Sequence, residues 1–374
     1  MKIAMIGQKR IPSREGGVEI VVEELSTRMV EKGHEVICYN RSGKHALDKN
    51  EIIQDLKEYK NVKLKKVLTI DKKGLAAMTS SFFGTLKILF SNVDVVHYHA
   101  EGPCAWLWII RFFSKKRIIV TIHGLDWQRA KWGGFATKYI KFGEKIAVKY
   151  AHEIIVLSKN VQEYFKKQYN RKTTFIPNGV SKPKKIRAKQ IKEKYNLKKD
   201  EYILFLGRIV PEKGIHYLIE AFNKIKTDKK LVIAGGASDT SEYFTDLKNK
   251  TKNNKKIVFT GFIQGEILSE LYSNCYIYCL PSDLEGMPLS LLEAMSYGNC
   301  CLTSDIAECS TVIEDKGITF KKGSIKDLTK KLQELIDDEK IVKELKKNSQ
   351  KFILEKYNWD SIVDRTLELY NKEW

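Results

Sequence analysis

Short apolar runs separated by longer amphipathic stretches recur along the whole chain, and this rhythm restricts it to an α/β fold with parallel sheets. In the first half, Lys2–Ile6, Glu35–Tyr39, Asp94–Tyr98, Arg117–Ile122 and Glu153–Leu157 read as strands. Helical periodicity separates them, most clearly from Val18 to Glu31. A second series repeats the pattern at Tyr202–Leu206, Lys230–Ala234, Lys256–Thr260, Tyr276–Leu280 and Cys300–Thr303. Between the two, Phe175-Ile176-Pro177-Asn178-Gly179-Val180 ends a strand in turn residues, and a lysine-rich stretch from Lys182 to Lys199 follows. That junction is the expected hinge. A length of 374 residues exceeds what one core usually supports, so two domains of similar size are expected. The tail from Trp359 to Tyr370 spaces Ile362, Val363, Leu367 and Leu369 helically, and such a helix must dock on something.

Composition narrows the function. The seven cysteines include no CxxC pair, which speaks against a disulfide framework or a zinc site and for reduced, buried thiols in cytoplasm. The opening MKIAMIG runs directly into a strand, so no secretion signal is expected. The most apolar stretches, Leu75 to Phe90 and Cys104 to Phe113, are interrupted by Lys87 and Arg111, and neither reads as a membrane span. The net charge of +20 implies an anionic partner: nucleic acid, lipid headgroups or a phosphorylated substrate. Nucleic acid lacks support, because there is no zinc-finger spacing, RNP-like aromatic motif or clustered basic arm.

Three strand-to-helix junctions carry glycine and charge. The first runs Ile6-Gly7-Gln8-Lys9-Arg10-Ile11-Pro12-Ser13-Arg14-Glu15-Gly16-Gly17-Val18-Glu19, a basic loop with a Gly16-Gly17 pair opening a helix. A helix N-terminus carries about half a positive charge, and glycines let its N–H groups approach an anion. The spacing is not GxGxxG, and by itself the segment fits a flexible loop and helix start equally well. The second, Gly207-Arg208-Ile209-Val210-Pro211-Glu212-Lys213-Gly214, sets two cations five positions apart on one loop, where they can converge on a diphosphate. For an arbitrary surface pair, solvation is the default reading; the position beyond a strand's carboxyl end favours a ligand. The third, Glu285-Gly286-Met287-Pro288-Leu289-Ser290-Leu291-Leu292-Glu293-Ala294-Met295, places Glu285 on a loop and Glu293 within a helix opened by Pro288. Two glutamates eight apart carry little meaning without that context.

Together these segments resemble the donor site of a family 4 glycosyltransferase with the GT-B fold. The resemblance rests on the ExxxxxxxE pair Glu285 and Glu293, on Arg208 and Lys213 of GRIVPEKG, and on Gly16-Gly17. IPNGV at the hinge, IHG at Ile122 to Gly124 and EAMSYG at Glu293 to Gly298 support it, and the matches span nearly the whole chain. It implies two Rossmann-like domains with parallel sheets facing a central cleft: an acceptor-binding domain over residues 1–177 and a nucleotide-sugar-binding domain over 178–357. The helix of residues 358–374 is then expected to pack back on the first domain. Arg208 and Lys213 would hold the donor diphosphate, Glu293 the ribose, Leu289 the nucleotide beside it, and Glu285 the transferred sugar or its surroundings. Gly16 and Gly17 would offer backbone N–H groups, and His123 would face the donor sugar. Met287, Asn299 and Ser181 depart from a usual Phe, Pro and Asp, which blurs the donor rather than the fold.

More narrowly, GQKRIPSREGGVE resembles a subgroup that includes bacterial rhamnosyltransferases of capsule and cell-wall polysaccharide assembly. That implies dTDP-L-rhamnose as donor, a UDP-sugar being the alternative, and a sugar on a polyprenyl diphosphate as acceptor. It also implies retention of configuration, with no metal and no cofactor beyond the nucleotide-sugar co-substrate. Just past His123, Asp126 could orient the acceptor hydroxyl and Trp127 stack on a sugar; a capping Asp and a packed Trp fit the sequence as well. Trp106, Trp108, Phe112 and Phe113 are expected in the core. Basic residues of the first domain, with exposed residues between Asp71 and Phe90, are expected to meet an anionic membrane surface on its cytoplasmic side. A non-hydrolysing nucleotide-sugar epimerase shares the architecture, and the Glu285 to Glu293 spacing favours transfer over it.

Overall fold

The computed structural model describes residues 1–43, 56–72, 74–128, 133–236 and 241–372. They form two compact units, Met1–Asn178 with Trp359–Trp374, and Gly179–Asn358.

The first unit is built on an eight-stranded sheet. Its strands are β1 (Lys2–Ile6), β2 (Glu35–Arg41), β3 (Glu58–Tyr59), β4 (Val62–Val67), β5 (Val95–His99), β6 (Arg117–Ile122), β7 (Glu153–Val156) and β8 (Thr174–Phe175). The order is β3-β4-β2-β1-β5-β6-β7-β8, parallel except for the β3–β4 pair. Every residue of β5 and β6 is buried, as expected of central parallel strands covered by helices on both faces.

The C-terminal helix Trp359–Asn371 belongs to this unit. Its stripe of Ile362, Val363, Leu367, Leu369 and Tyr370 is buried, and Arg117 Nε donates to the Leu369 carbonyl at 2.8 Å. Arg28–Asp360 and Lys32–Asp364 ion pairs, both 2.7 Å, flank the stripe. Exposed pairs of this kind contribute under about 1 kcal/mol each, whereas burying one large apolar side chain contributes about 1.5–3 kcal/mol. The stripe therefore decides the docking.

The second unit carries a six-stranded parallel sheet: β9 (Tyr202–Leu206), β10 (Lys230–Ala234), β11 (Ile257–Gly261), β12 (Ile277–Leu280), β13 (Cys300–Ser304) and β14 (Ile318–Phe320), ordered β11-β10-β9-β12-β13-β14. Apolar residues of β9, β10, β12 and β13 form its core together with the helices Ile215–Phe222 and Leu289–Ser296. All seven cysteines are buried free thiols.

One expectation is corrected. Leu107, Ile109 and Ile110 of the helix Leu107–Phe113 are buried, but Phe112 and Phe113 are 63% and 68% exposed. The helix is only two turns long, and its first turn fills the space against the sheet while its last turn faces solvent. Trp106 and Trp108 are half-buried, Trp106 lying edge-on to Phe82 at 4.8 Å.

Candidate functional site

In the second unit β9 and β12 are neighbours from which the chain departs in opposite directions, to β10 and β11 on one side and to β13 and β14 on the other. Loops leaving such a pair diverge, and the space beyond the strands' carboxyl ends is where open α/β sheets bind ligands. Both charged loops of this unit emerge there.

Gly214 joins them. It holds φ 64 at the end of the short 3-10 turn Pro211–Lys213, and a Cβ at that position would overlap the Pro281 carbonyl oxygen. The Asp283 N–H donates to the Glu212 carbonyl at 2.8 Å, and the Tyr217 hydroxyl donates to Asp283 Oδ2 at 3.1 Å. The Lys213 ammonium therefore meets the Glu285 carboxylate, whose Oε1 also accepts from the Ser282 hydroxyl at 2.7 Å. Only 13% of the Lys213 side chain and 8% of that of Glu285 are exposed, so this is a largely dehydrated pair rather than a surface one. Arg208 is half-buried on the same loop.

Glu293 lies in the helix Leu289–Ser296, which Pro288 caps and Leu289 opens. Its Oε2 accepts from the Tyr272 hydroxyl at 3.0 Å, and the same hydroxyl stands 3.2 Å from the Ser290 carbonyl. Tyr272 is buried and stacks on Tyr297 at 5.2 Å. Asn299 uses the amide that a proline would lack: its Nδ2 donates to the Tyr272 carbonyl at 2.8 Å.

In the first unit the chain's change of direction falls between β1 and β5. The loop after β1 ends at Gly16, the N-cap, and Gly17, the first residue of the helix Gly17–Glu31. Glu19 folds back so that its Oε1 accepts the Lys9 N–H at 2.9 Å. The start of this helix thus already carries a carboxylate.

His123 follows β6 and is buried; Asp126 opens the 3-10 turn Asp126–Gln128 three residues later. This turn is held from below by two buried acids. Glu101 Oε2 accepts the Asp126 N–H at 2.9 Å, and Glu144 Oε2 accepts the Trp127 indole N–H at 3.2 Å. Glu144 Oε1 also accepts from the hydroxyls of Tyr164, at 2.9 Å, and Tyr169. Burial, then the neighbouring Glu144 carboxyl and Asp126, hold the acid of Glu101 well above the usual carboxylate range. One face of Trp127 is covered by Lys141, whose Nζ lies 4.1 Å from the ring centroid.

Lys213 and Glu285 are thus in direct contact, Arg208 shares their loop, and Glu293 stands on the helix that follows Glu285. Gly16, Gly17, His123 and Asp126 lie on two loops at the carboxyl end of the other sheet. The sequence reading missed Tyr272, Ser282, Glu101 and Glu144; alternating histidines in the buried run Val95–His99 were the visible signal for a further group, discussed below.

Two Rossmann-like parallel-sheet units, each with charged loops at the carboxyl end of its sheet, define the GT-B class. The sucrose-phosphate synthase of Thermosynechococcus elongatus superposes with a TM-score of 0.83 at 21% identity, covering 99% of this chain and 98% of that one. The description "Glycosyltransferase Family 4" fits residues 15–182 and "Glycosyl transferases group 1" fits residues 187–372. The chain belongs to this glycosyltransferase family. Among its curated relatives, the N,N'-diacetylbacillosaminyl-diphospho-undecaprenol alpha-1,3-N-acetylgalactosaminyltransferase of Campylobacter jejuni is 24% identical over 97% of this chain and 93% of its own length. The UDP-Gal:alpha-D-GlcNAc-diphosphoundecaprenol alpha-1,3-galactosyltransferase of Escherichia coli is 28% identical over 74% of this chain and 75% of its own.

Proposed function

We propose that this glycosyltransferase moves a sugar from a nucleoside diphosphate onto a sugar carried by a lipid diphosphate, in the assembly of a bacterial surface polysaccharide. The observation that carries the proposal is the dehydrated Lys213–Glu285 pair beside Arg208 at the β9/β12 divergence. Cations fixed there before the reaction starts stabilise the negative charge that develops on a departing diphosphate. Arg208 and Lys213 are assigned to that diphosphate, Glu293 to the ribose hydroxyls and Leu289 to the nucleotide. Gly16 and Gly17 offer backbone N–H groups, His123 and Glu285 are assigned to the transferred sugar, and Asp126 to the acceptor hydroxyl.

In the retaining, front-face reaction, the bond from the sugar's anomeric carbon to the diphosphate oxygen breaks. The acceptor oxygen bonds to the same face of that carbon, and its proton passes to the leaving phosphate. Lysine and arginine supply the positive charge that a divalent ion supplies in other transferases, so turnover is expected without metal.

dTDP-L-rhamnose is the first donor to test, on the strength of the opening basic loop. A UDP-hexose is the second reading, favoured by the UDP-galactose donor in the name of the Escherichia coli relative. Both named relatives act on diphospho-undecaprenol-linked sugars, which supports the lipid acceptor.

The first unit offers a surface for an anionic bilayer on the cytoplasmic side. Beyond its opening glycines, the exposed positions of the helix Gly134–Tyr150 are Phe135, Lys138, Lys141, Phe142, Lys145 and Lys149, while Glu144 is buried. Arg111, Phe112, Phe113 and Lys115 extend the same chemistry, and Phe112 meets Tyr150 at 5.3 Å. Each such cation contributes about 1 kcal/mol near an anionic surface. Among the described residues no helix is long and apolar enough to cross a membrane.

The test is nucleotide release from dTDP-L-rhamnose and a panel of UDP-sugars, with and without a short-chain lipid-diphosphate sugar. Acceptor-dependent release from one donor is expected; interconversion of the donor without acceptor would contradict transfer.

A further inference from the structure

Two buried histidines outside the assigned residues stand directly behind His123. His97 and His99 lie two apart on β5 and so share a face of the sheet, as Thr121 and His123 do on and just after β6. The strands pair His97 with Ile119 and His99 with Thr121, and each imidazole reaches diagonally past its partner. His97 Nε2 meets Thr121 Oγ1 at 2.7 Å, and His99 Nδ1 meets His123 Nε2 at 3.1 Å. His97 Nδ1 meets the hydroxyl of Tyr370, on the C-terminal helix, at 2.6 Å. The rings form a stack: 4.2 Å from His97 to His99 and 5.3 Å from His99 to His123, with interplanar angles of 30° and 32°.

The hydrogen-bond inventory fixes the protons. Thr121 and Tyr370 are hydroxyls that donate or accept, so His97 is satisfied in either tautomer. His99 is not: it is fully buried, and among the described residues its Nε2 has no partner. A buried N–H without an acceptor is rarer and costlier than a buried lone pair without a donor. The His99 hydrogen therefore belongs on Nδ1, where it donates to His123 Nε2, and a neutral His123 must then carry its own hydrogen on Nδ1. The backbone holds the donor in place. Gly7 at the end of β1 lies so close to β5 that a Cβ would overlap the His99 carbonyl oxygen, and Ala100 takes a left-handed φ of 72 while its N–H donates to the Thr121 carbonyl at 2.9 Å.

We propose that His99 is a positioning residue that holds His123 in a single ring orientation as its Nδ1–H tautomer, with His97 and Tyr370 bracing the stack against the C-terminal helix. The consequence for catalysis rests on the reading above that His123 faces the transferred sugar; the tautomer itself does not.

The test uses the full-length protein labelled with 15N in its histidines. Two-bond proton–nitrogen spectra, with the His123 signals assigned by His123→Gln, distinguish the two tautomers directly. In the wild type His123 is expected as Nδ1–H alone. In His99→Ala it is expected as a mixture of tautomers, with turnover reduced about 10- to 100-fold and the donor KM within about threefold of wild type. His99→Asn keeps a short donor at the Nδ1 position and is expected to restore most of the turnover and the single tautomer. An Nε2–H pattern in the wild type, or an unchanged Nδ1–H pattern in His99→Ala, would overturn the proposal. A tautomer change in His99→Ala together with full activity of His123→Gln would sustain the positioning and instead remove His123 from the reaction.

Discussion

The phenol of Tyr272 donates to Glu293 Oε2 across 3.0 Å while its ring stacks on Tyr297, so the carboxylate assigned to a ribose is aimed by a buried side chain with little freedom to move. Tyr272→Phe keeps the stack and loses that bond. A hydrogen bond to a charged group is worth about 1.5–3 kcal/mol, so nucleoside diphosphate affinity should fall roughly 10- to 100-fold. Titration calorimetry reads this directly; unchanged affinity would show that Glu293 does not hold the nucleotide.

Lys213→Ala should reduce turnover a hundredfold or more, a loss of ~3 kcal/mol of transition-state stabilisation. It also leaves Glu285 nearly buried beside Ser282 without its cation, and breaking such a pair costs about 3–5 kcal/mol of stability. Lys213→Ala with Glu285→Gln removes the orphaned charge. The double variant should therefore regain stability in urea titrations while staying inactive, which separates the two roles.

Gly214→Ala tests the loop geometry. The substitution forces a side chain into a left-handed backbone and onto the Pro281 carbonyl. A loss of roughly 1–3 kcal/mol in urea unfolding is expected, accompanied by weaker nucleotide binding as Lys213 is displaced.

Much of the architecture was legible because central strands are apolar on both faces: of the ten strands read from the sequence, β1, β6, β9 and β10 coincide with those observed and the other six differ by one or two residues at one or both ends. β4 was not legible: Lys63, Lys65 and Lys66 point outward near the sheet edge and mask its buried Val62 and Val67. β3 is two residues long and β14 three, too short to show an alternation; β8, also two residues, was visible only through the turn residues that follow Phe175. The donor loops were readable because Arg208, Lys213 and Glu285 sit at fixed offsets from strand ends. Tyr272 was not, since it acts on a glutamate 21 positions away through a contact that only folding creates. The exposed Phe112 and Phe113 misled for the converse reason: the apolar run 107–113 does not show which of the helix's two turns packs on the core and which faces out.

Phe112→Ser with Phe113→Ser should reduce co-flotation with phosphatidylglycerol-containing vesicles at least tenfold while leaving nucleotide binding intact. Salt should weaken the remaining association. Equal flotation of wild type and variant would place the contact elsewhere.

Acid should loosen the first unit selectively. Burial, with the charge of His123 adding to it, pushes His97 down to about 3 from an ordinary 6.5, so the unfolded chain binds more protons throughout that window. Stability is complete above pH 6.5 and is lost as pH falls below it, by about 2 kcal/mol from this group between pH 7 and pH 5. Residues 179–358, the second unit, contain no tryptophan, so fluorescence in urea titrations reports on the first unit alone. His97→Phe should remove this group's share of the dependence.

The central claim, retaining transfer to a lipid-diphosphate sugar, is tested most directly by NMR of the acceptor glycan after incubation with the active donor. The account predicts one new glycosidic linkage whose anomeric configuration matches that of the donor. An unmodified acceptor, or a linkage of inverted configuration, would contradict it.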